Sequence, residues 1–413
     1  MAIDPRVGPE VAGRDGPRLL HAEWGEMFSL RCATTRVRLV VACHSYYPAV
    51  GGVERLAQGV AEQFARRGVD TTVVTRRDAG TVPSERVNGV NVIRIPMTRV
   101  AGFHFPRGYL RTLRELNPDV FHLIGNRVWC VDFYFPFARN VRWPLVMTGH
   151  GFYQYEMHRR AWDRWYFERY LPRCLRRVDV YTADTVHERD QLVGWGVDPS
   201  RIEILPAAVS LDEFVDSRSN SRAVRSRWGF KAPHVAVYVG GFYANKRVDR
   251  LVRAVAATGG TWALVAIGRD LPGGAHDRAS VARLASELGA EVALSDVLPR
   301  GEVLDALAAA DAVALGSSYE GFGILLLEAM AMGRPFVAFR TGAAPELAAT
   351  GSGFCVDTIE EFTAALGKLT DPTTRTALGA RGREVVPAYS VDELVRRLSR
   401  TYERAVEHSG ASR

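Results

Sequence analysis

Lysine is nearly missing from this chain. Of its 53 basic residues only Lys231, Lys246 and Lys368 are lysines, and the rest are arginines. The formal net charge of +7 is therefore an arginine habit of the whole sequence, and it favours anionic partners such as nucleotide diphosphates or lipid headgroups. No basic recognition helix or zinc-finger spacing accompanies it, so nucleic acid is not an expected partner. The five cysteines, Cys32, Cys43, Cys130, Cys174 and Cys355, are scattered and odd in number, which excludes a disulfide framework and fits a reducing, cytoplasmic setting. No apolar run is long enough to span a bilayer, and residues 1–36 lack the apolar core of a secretory signal. The dinucleotide fingerprint G-x-G-x-x-G and the Walker A loop are both absent, so no NAD, FAD or other resident cofactor is expected. Asp-x-Asp is absent too, and the expectation for metal is none.

What is present is enough for two ordinary domains: 413 residues, of which 47% are hydrophobic. Buried-strand runs recur at Leu39-Val-Val-Ala-Cys43, Asp70 to Thr75, Val92 to Ile95, Val120 to Leu123, Leu145 to Thr148 and Val178 to Thr182. A second series runs through His234 to Val239, Leu264 to Gly268, Val292 to Leu294, Ala312 to Leu315, Pro335 to Phe339 and Gly353 to Val356. Helical stretches separate them, the first from Arg55 to Arg67. This alternation predicts an α/β chain of two Rossmann-like domains. The expected divisions are a loosely ordered extension over 1–36, a first domain over 37–214, a Ser- and Arg-rich linker over 215–230, a second domain over 231–388, and a helix with tail over 389–413.

The chain is organised around Gly316-Ser-Ser-Tyr-Glu320-Gly-Phe-Gly323-Ile-Leu-Leu-Leu-Glu328-Ala-Met-Ala-Met-Gly333. Strand Ala312 to Leu315 leads into a turn at Gly321 and Gly323, then a short helix that Gly333 closes. Ligands bind beyond the carboxyl end of such a strand, where the first free N–H groups of the helix attract phosphate. Glu320 falls at that edge and Glu328 within the helix. Eight residues of turn and helix separate the carboxylates by roughly 10 Å or more, too far for a glycosidase pair, so the two would hold different parts of one extended ligand. The plain alternative is a solvated loop residue and a surface helix residue. Against it, Leu325, Leu326, Leu327, Met330 and Met332 make the helix almost wholly apolar, so Glu328 sits where it needs a partner.

This stretch resembles the E-x7-E motif of the retaining glycosyltransferases of family 4, enzymes of the GT-B fold with a deep cleft between two Rossmann-like domains. The likeness extends along most of the chain. Tyr47-Pro-Ala-Val-Gly51-Gly52-Val-Glu-Arg55 is similar to the family's first loop, which borders the donor phosphate and the acceptor; read alone, Gly51-Gly52 is also compatible with a plain turn. His150, between Gly149 and Gly151 at a strand end, matches a histidine implied to lie near the reacting sugar carbon, its alternative being a hydrogen-bonded structural histidine. His122 resembles a recurrent family feature of structural or acceptor-side character. Gly240-Gly241-Phe-Tyr-Ala-Asn-Lys246 before a helix is a phosphate-reading arrangement. The family uses a lysine there on the donor diphosphate and an arginine where this chain has Gly241, a departure for which either Arg247 or Arg269 compensates or phosphate binding is weaker. A second departure is Ala207-Ala208, where an Asn-Gly pair is usual. The loop Asp296-Val-Leu-Pro299-Arg300 falls where the family seats the nucleotide base, and the last helix, Val391 to about Glu407, would cross back onto the first domain.

The resemblance implies a retaining, metal-independent, hexosyltransferase-like enzyme that moves a sugar from a nucleotide diphosphate sugar to a glycan or lipid-linked acceptor. Implied roles are Lys246 on the diphosphate, Glu328 on the ribose, Glu320 on sugar hydroxyls and His150 near the anomeric centre, with Gly321, Phe322, Gly323 and Ile324 shaping the donor site. An epimerase of the same fold and a non-catalytic nucleotide-sugar-binding scaffold remain the alternatives. Between Phe152 and Arg177 lie eight aromatic residues and seven arginines. A helical reading gathers Tyr155, Trp162, Trp165, Tyr166 and Tyr170 on one face and ends at Pro172. Such a face suits peripheral contact with an anionic membrane, or else an arginine-solubilised helix packed on the first domain.

Overall fold

The computed structural model describes residues 37–49, 52–100, 103–126, 128–138, 143–152, 161–214, 221–270 and 276–411. The extension read over 1–36, Gly51 and Tyr155 lie outside them. Two sheets dominate. The first has eight strands: β1 (Arg38–Ala42), β2 (Asp70–Arg76), β3 (Ser84–Val87), β4 (Val90–Ile95), then β7 (Val120–Ile124), β8 (Leu145–Thr148), β9 (Val180–Ala183) and β10 (Ile202–Ile204), in the spatial order β10-β9-β8-β7-β1-β2-β4-β3. All pair in parallel except the edge strand β3, which is antiparallel to β4. Strands β5 (Met97–Val100) and β6 (Phe103–Pro106) form a separate antiparallel pair. The second sheet, wholly parallel, runs β13-β12-β11-β14-β15-β16, from β11 (His234–Val239), β12 (Trp262–Ile267), β13 (Val292–Ser295), β14 (Ala312–Leu315), β15 (Phe336–Phe339) and β16 (Gly353–Val356). The central strands are continuous apolar runs because helices cover both faces and no side of the sheet meets water.

Five helices position the site: α1 (Gly52–Arg66), α2 (Val186–Gly194), α3 (Arg300–Ala309), α4 (Ile324–Ala331) and α5 (Val391–Ala411). In α1 the buried residues Ala57, Val60, Ala61 and Phe64 recur at helical spacing and face the first sheet. This helix begins at Gly52, three residues earlier than its apolar pattern indicated. The crossing helix α5 completes the same core: Leu394, Val395, Leu398, Tyr402 and Ala405 are buried with β1 and α1, and the Phe64 and Tyr402 rings stand 5.2 Å apart. His122 belongs to this seam. Its Nδ1 meets the Tyr402 hydroxyl at 2.9 Å and its Nε2 meets Thr148 Oγ1 at 2.8 Å, so both nitrogens are occupied and the residue is structural. Burial lowers its pKa to about 3.

Two expectations need correction. The second half of the stretch read as linker is helical: residues Ser221–Trp228 form a helix whose Arg225 reaches Asp311 at 2.5 Å and the Ala309 carbonyl at 2.7 Å, so tertiary anchoring outweighs a Ser- and Arg-rich composition. Pro172 does not end its helix. Residues Tyr166–Tyr170 form a π-helical turn, closed by Leu171 N–H on the Tyr166 carbonyl, and Pro172 then enters at the start of a new α-turn, Leu171–Leu175. There a missing N–H costs little. The wider turn also shifts the aromatic register: Tyr166 is buried and donates to Asp132 Oδ1 at 2.6 Å instead of joining the outer face.

Candidate active site

A cavity of about 810 Å³ lies between the two sheets and is lined by residues of both. It sits at the carboxyl ends of the strands, where the order of the second sheet reverses between β11 and β14.

The wall from the second sheet carries Lys246, Glu320, Gly321, Phe322, Gly323, Ile324, Glu328 and Arg300. Glycine makes its shape. Gly323 stands at φ 99 as the N-cap of α4, and a Cβ on Gly316 would lie 2.6 Å from the Arg247 carbonyl, so the Lys246 loop packs directly on the Glu320 turn. Gly333, at φ 63, ends α4 with its N–H on the Met330 carbonyl and the Arg334 N–H on Ala329, a Schellman closure. Lys246 Nζ grips both Glu320 oxygens, at 2.7 and 2.8 Å, while Ser317 Oγ donates to Oε1 at 2.6 Å and the Glu320 N–H donates to Thr341 Oγ1 at 2.8 Å. Glu328 is 6% exposed and does have a partner: Arg300 Nη1 at 2.7 Å. Arg300 also donates to Glu213 Oε2 at 2.9 Å and lies over the Phe214 ring at 5.6 Å. Burial works against its charge, but the Glu328 and Glu213 carboxylates outweigh it and raise its pKa.

The wall from the first sheet carries Val53 and Glu54 of α1 with His150 and Asp184. His150 follows β8 in the left-handed region, φ 59, and its Nδ1 is 2.7 Å from Asp184 Oδ2. With Asp184 as acceptor Nδ1 carries the proton, and among the described residues nothing bonds the buried Nε2. Burial opposes the charged ring; Asp184, then Glu188 and Glu54, overcome it and raise the pKa. Glu188, on α2, is buried and accepts N–H bonds from Gly151 at 3.2 Å and Asp184 at 2.9 Å. Burial and the neighbouring Asp184 push its carboxyl up to about 8. Asn126 Nδ2 holds the carbonyls of Gly149 and Gly151 at 2.9 and 2.7 Å. The walls meet where a Cβ on Gly321 would come within 2.9 Å of the His150 carbonyl. They meet again where Glu346 Oε1 accepts the Val186 N–H at 2.9 Å.

Not every candidate converges. Arg269 is exposed beyond β12 and does not line the cavity, while Arg247 spends its guanidinium on Asp249 at 2.9 Å. Neither stands in for an arginine at Gly241. A Cβ on Gly241 would lie 2.3 Å from the Tyr243 ring, which occupies that direction, and Gly240 is likewise covered by Tyr238, whose hydroxyl donates to the Gly241 carbonyl at 2.9 Å. On the second-sheet wall, the cation that enters the cavity beside Lys246 is Arg300. Ala207 and Ala208 line the cavity where the chain leaves the first sheet, and Val209 pairs with Ser390 at the return. Asp184, Glu188 and Asn126 were missed as site residues. One signal was legible: Thr185-Val-His-Glu188 has the spacing of a capping box, of which the cap half forms, Thr185 Oγ1 accepting the Glu188 N–H at 3.2 Å. Among the described residues no three His, Cys, Asp or Glu side chains converge as metal ligands.

Comparison with known proteins agrees with this layout. A family model described as a glycosyl transferase 4-like domain matches residues 51–208, and one for glycosyl transferases group 1 matches residues 221–385. A D-inositol 3-phosphate glycosyltransferase of Mycolicibacterium smegmatis is 31% identical over 334 residues, 74% of this chain and 75% of that protein. The one from Kineococcus radiotolerans is 28% identical over 88% of this chain and 92% of its own. Among solved structures, Anabaena HepE in complex with UDP and glucose superposes with a TM-score of 0.74 at 17% identity, covering 89% of this chain and all 100% of the other. With both halves matched in order around one cleft, the chain belongs to the retaining glycosyltransferases of family 4, enzymes of the GT-B fold that transfer sugars from nucleotide-sugar donors.

Proposed function

We propose that the second-sheet wall binds the donor along its length, with Lys246 on the diphosphate, Glu328 and its partner Arg300 at the ribose and base, and Glu320 on the sugar hydroxyls. His150 Nε2 then stands beside the anomeric carbon. The observation that carries this reading is the Lys246–Glu320 pair. A lysine that gives its charge to a carboxylate in the free cleft can exchange that partner for a diphosphate, and the exchange frees Glu320 for the sugar. Lys246 and the first N–H groups of α4, at Gly323 and Ile324, would stabilise the leaving diphosphate without a metal. UDP-glucose is the first donor to test, since HepE is named in complex with UDP and glucose. NMR of the product's anomeric proton reads the outcome: an inverted centre, or no transfer from any nucleotide sugar, would overturn the reading.

For the acceptor we propose a lipid-linked molecule or glycan met at the membrane surface. Support comes from an aromatic ledge that follows the His150 loop in sequence. Trp162 and Trp165 are 62% and 47% exposed, their rings stack at 4.8 Å, and Tyr170 stacks on Trp165 at 6.0 Å. Exposed Arg164, Arg169 and Arg173 surround them, an arrangement that suits lipid headgroups. No helix among the described residues is long and apolar enough to cross a membrane, so this contact would be peripheral, at the cytoplasmic face. Sedimentation with anionic vesicles should show weak, salt-sensitive binding that Trp162→Ala with Trp165→Ala abolishes. Protein left wholly in the supernatant at low salt would favour a small soluble acceptor, of which inositol 3-phosphate, named for the relatives, is the one to assay.

A further inference from the structure

We propose that Glu188 is a positioning residue for the transfer reaction and acts only through His150. The proposal rests on the role given to His150 above.

His150 cannot hold its conformation unaided. Its φ of 59 is costly for a residue with a side chain, and its Nε2 is buried without a partner among the described residues. Such strain persists only where the surroundings over-determine it. Glu188 supplies that constraint from two directions with one carboxyl. Oε1 accepts the N–H of Gly151, the residue after His150, at 3.2 Å, and Oε2 accepts the N–H of Asp184, the residue that grips His150 Nδ1, at 2.9 Å. The turn and the carboxylate that orients its imidazole are thereby fixed relative to each other. A glutamate at the third position of a helix ordinarily returns to the N–H of its own cap. Here it reaches one residue further back and across to the loop after β8, a connection that capping of α2 does not require. The site is also built around it: a Cβ on Gly149 would lie 2.7 Å from Glu188 Oε1 and 1.7 Å from the Tyr181 hydroxyl. The groups facing His150 and Glu188 are Asp184 and Tyr181 from β9 and its corner, Glu54 from α1, and His122 from β7.

A glutamine offers one acceptor oxygen to these two N–H donors, so Glu188→Gln must release one of them. The test is a double-mutant cycle on the full chain with the nucleotide sugar it turns over. Glu188→Gln should lower kcat by about 10–50-fold with the donor KM within about 2-fold, and should cost no more than about 2-fold further when made in His150→Ala. Equal losses in both backgrounds would mean that Glu188 acts elsewhere and would overturn the proposal, as would an unchanged kcat. A fully active His150→Ala would instead sink the reading of His150, which the cycle shows separately. If Glu188→Gln fails to fold, Tyr181→Phe enters the same cycle, since it removes only the hydroxyl contacts to Glu188 at 3.3 Å and Asn126 at 3.5 Å. Its effect should likewise vanish in His150→Ala, and additivity would overturn the proposal.

Discussion

The two walls of the cleft solve the same problem of buried charge in opposite ways. On the second-sheet side, carboxylates are met by cations: Glu320 by Lys246 at 2.7 Å and Glu328 by Arg300 at 2.7 Å. On the first-sheet side His150, Asp184 and Glu188 crowd together, and the result is one carboxyl pushed up to about 8 by burial and its neighbour, and a histidine whose pKa Asp184 raises against burial. On the proposed reading, the second-sheet half reads charge and the first-sheet half handles protons. A wall of ion pairs suits a multiply charged diphosphate that takes over the cations. A wall that gathers a histidine and two carboxyl groups, one of them pushed up to about 8, suits the reacting sugar, where a proton is added or withdrawn.

The comparison breaks most visibly if both walls are not needed for turnover. Glu320→Ala and His150→Ala should each lower kcat by at least about 100-fold, roughly 2.7 kcal/mol of transition-state stabilisation. Their effects on binding of the free nucleoside diphosphate should differ. Glu320→Ala leaves Lys246 without its carboxylate, so affinity should hold or rise, whereas His150→Ala should leave it unchanged. Calorimetry of both variants checks this, and weaker binding in Glu320→Ala would contradict the exchange of partners.

Next in size is Lys246→Ala, which should weaken donor binding by about 2–3 kcal/mol through loss of a charge-assisted contact. Unchanged affinity would remove Lys246 from the diphosphate. Glu328→Ala should weaken binding less, by about 1–2 kcal/mol, because the hydroxyl contacts it loses are partly offset when Arg300 retains Glu213. A nucleoside diphosphate lacking the ribose hydroxyls should erase the difference between Glu328→Ala and the unmodified protein.

These residues also mark what was legible in the sequence. The parallel sheets followed from apolar runs alternating with helical periods, and the turn at Glu320 from glycines placed between a strand and an apolar helix. Burial of Glu328 was legible for the same reason, since nothing else in α4 is polar. Its partner was not, because Arg300 lies outside the local pattern and only the packing of α3 against β11 and the helix Ser221–Trp228 decides which of many arginines arrives. The first-sheet wall was harder still. His150 announced itself by flanking glycines, but Asn126, after β7, and Asp184 and Glu188, at the corner between β9 and α2, come from two other segments and meet it only in the fold. Pro172 misled for a different reason: a π-helical turn answers its missing N–H, and no periodicity rule anticipates one extra residue in a turn.

The smallest effect sharpens the contrast through stability, and its sign follows from where each group binds its proton. His122, held down to about 3 by burial, binds fewer protons folded than unfolded between that value and its ordinary range near 6.5, so it makes stability rise with pH across that window. Glu188, pushed up to about 8, does the reverse: the folded protein keeps its proton from about 4.5 to 8, so stability falls as pH rises. His150, also raised, adds to the fall above its ordinary range. The opposing terms roughly cancel from pH 4.5 to 6.5, and only the falling ones remain above that. Thermal or urea unfolding should therefore show a loss of about 1–2 kcal/mol between pH 6.5 and 8. In Glu188→Gln that loss should shrink to the part His150 contributes, while Lys246→Ala, on the other wall, should keep it whole. A stability profile that is level from 6.5 to 8, or one that Lys246→Ala alters as much as Glu188→Gln, would erase the division between the two walls.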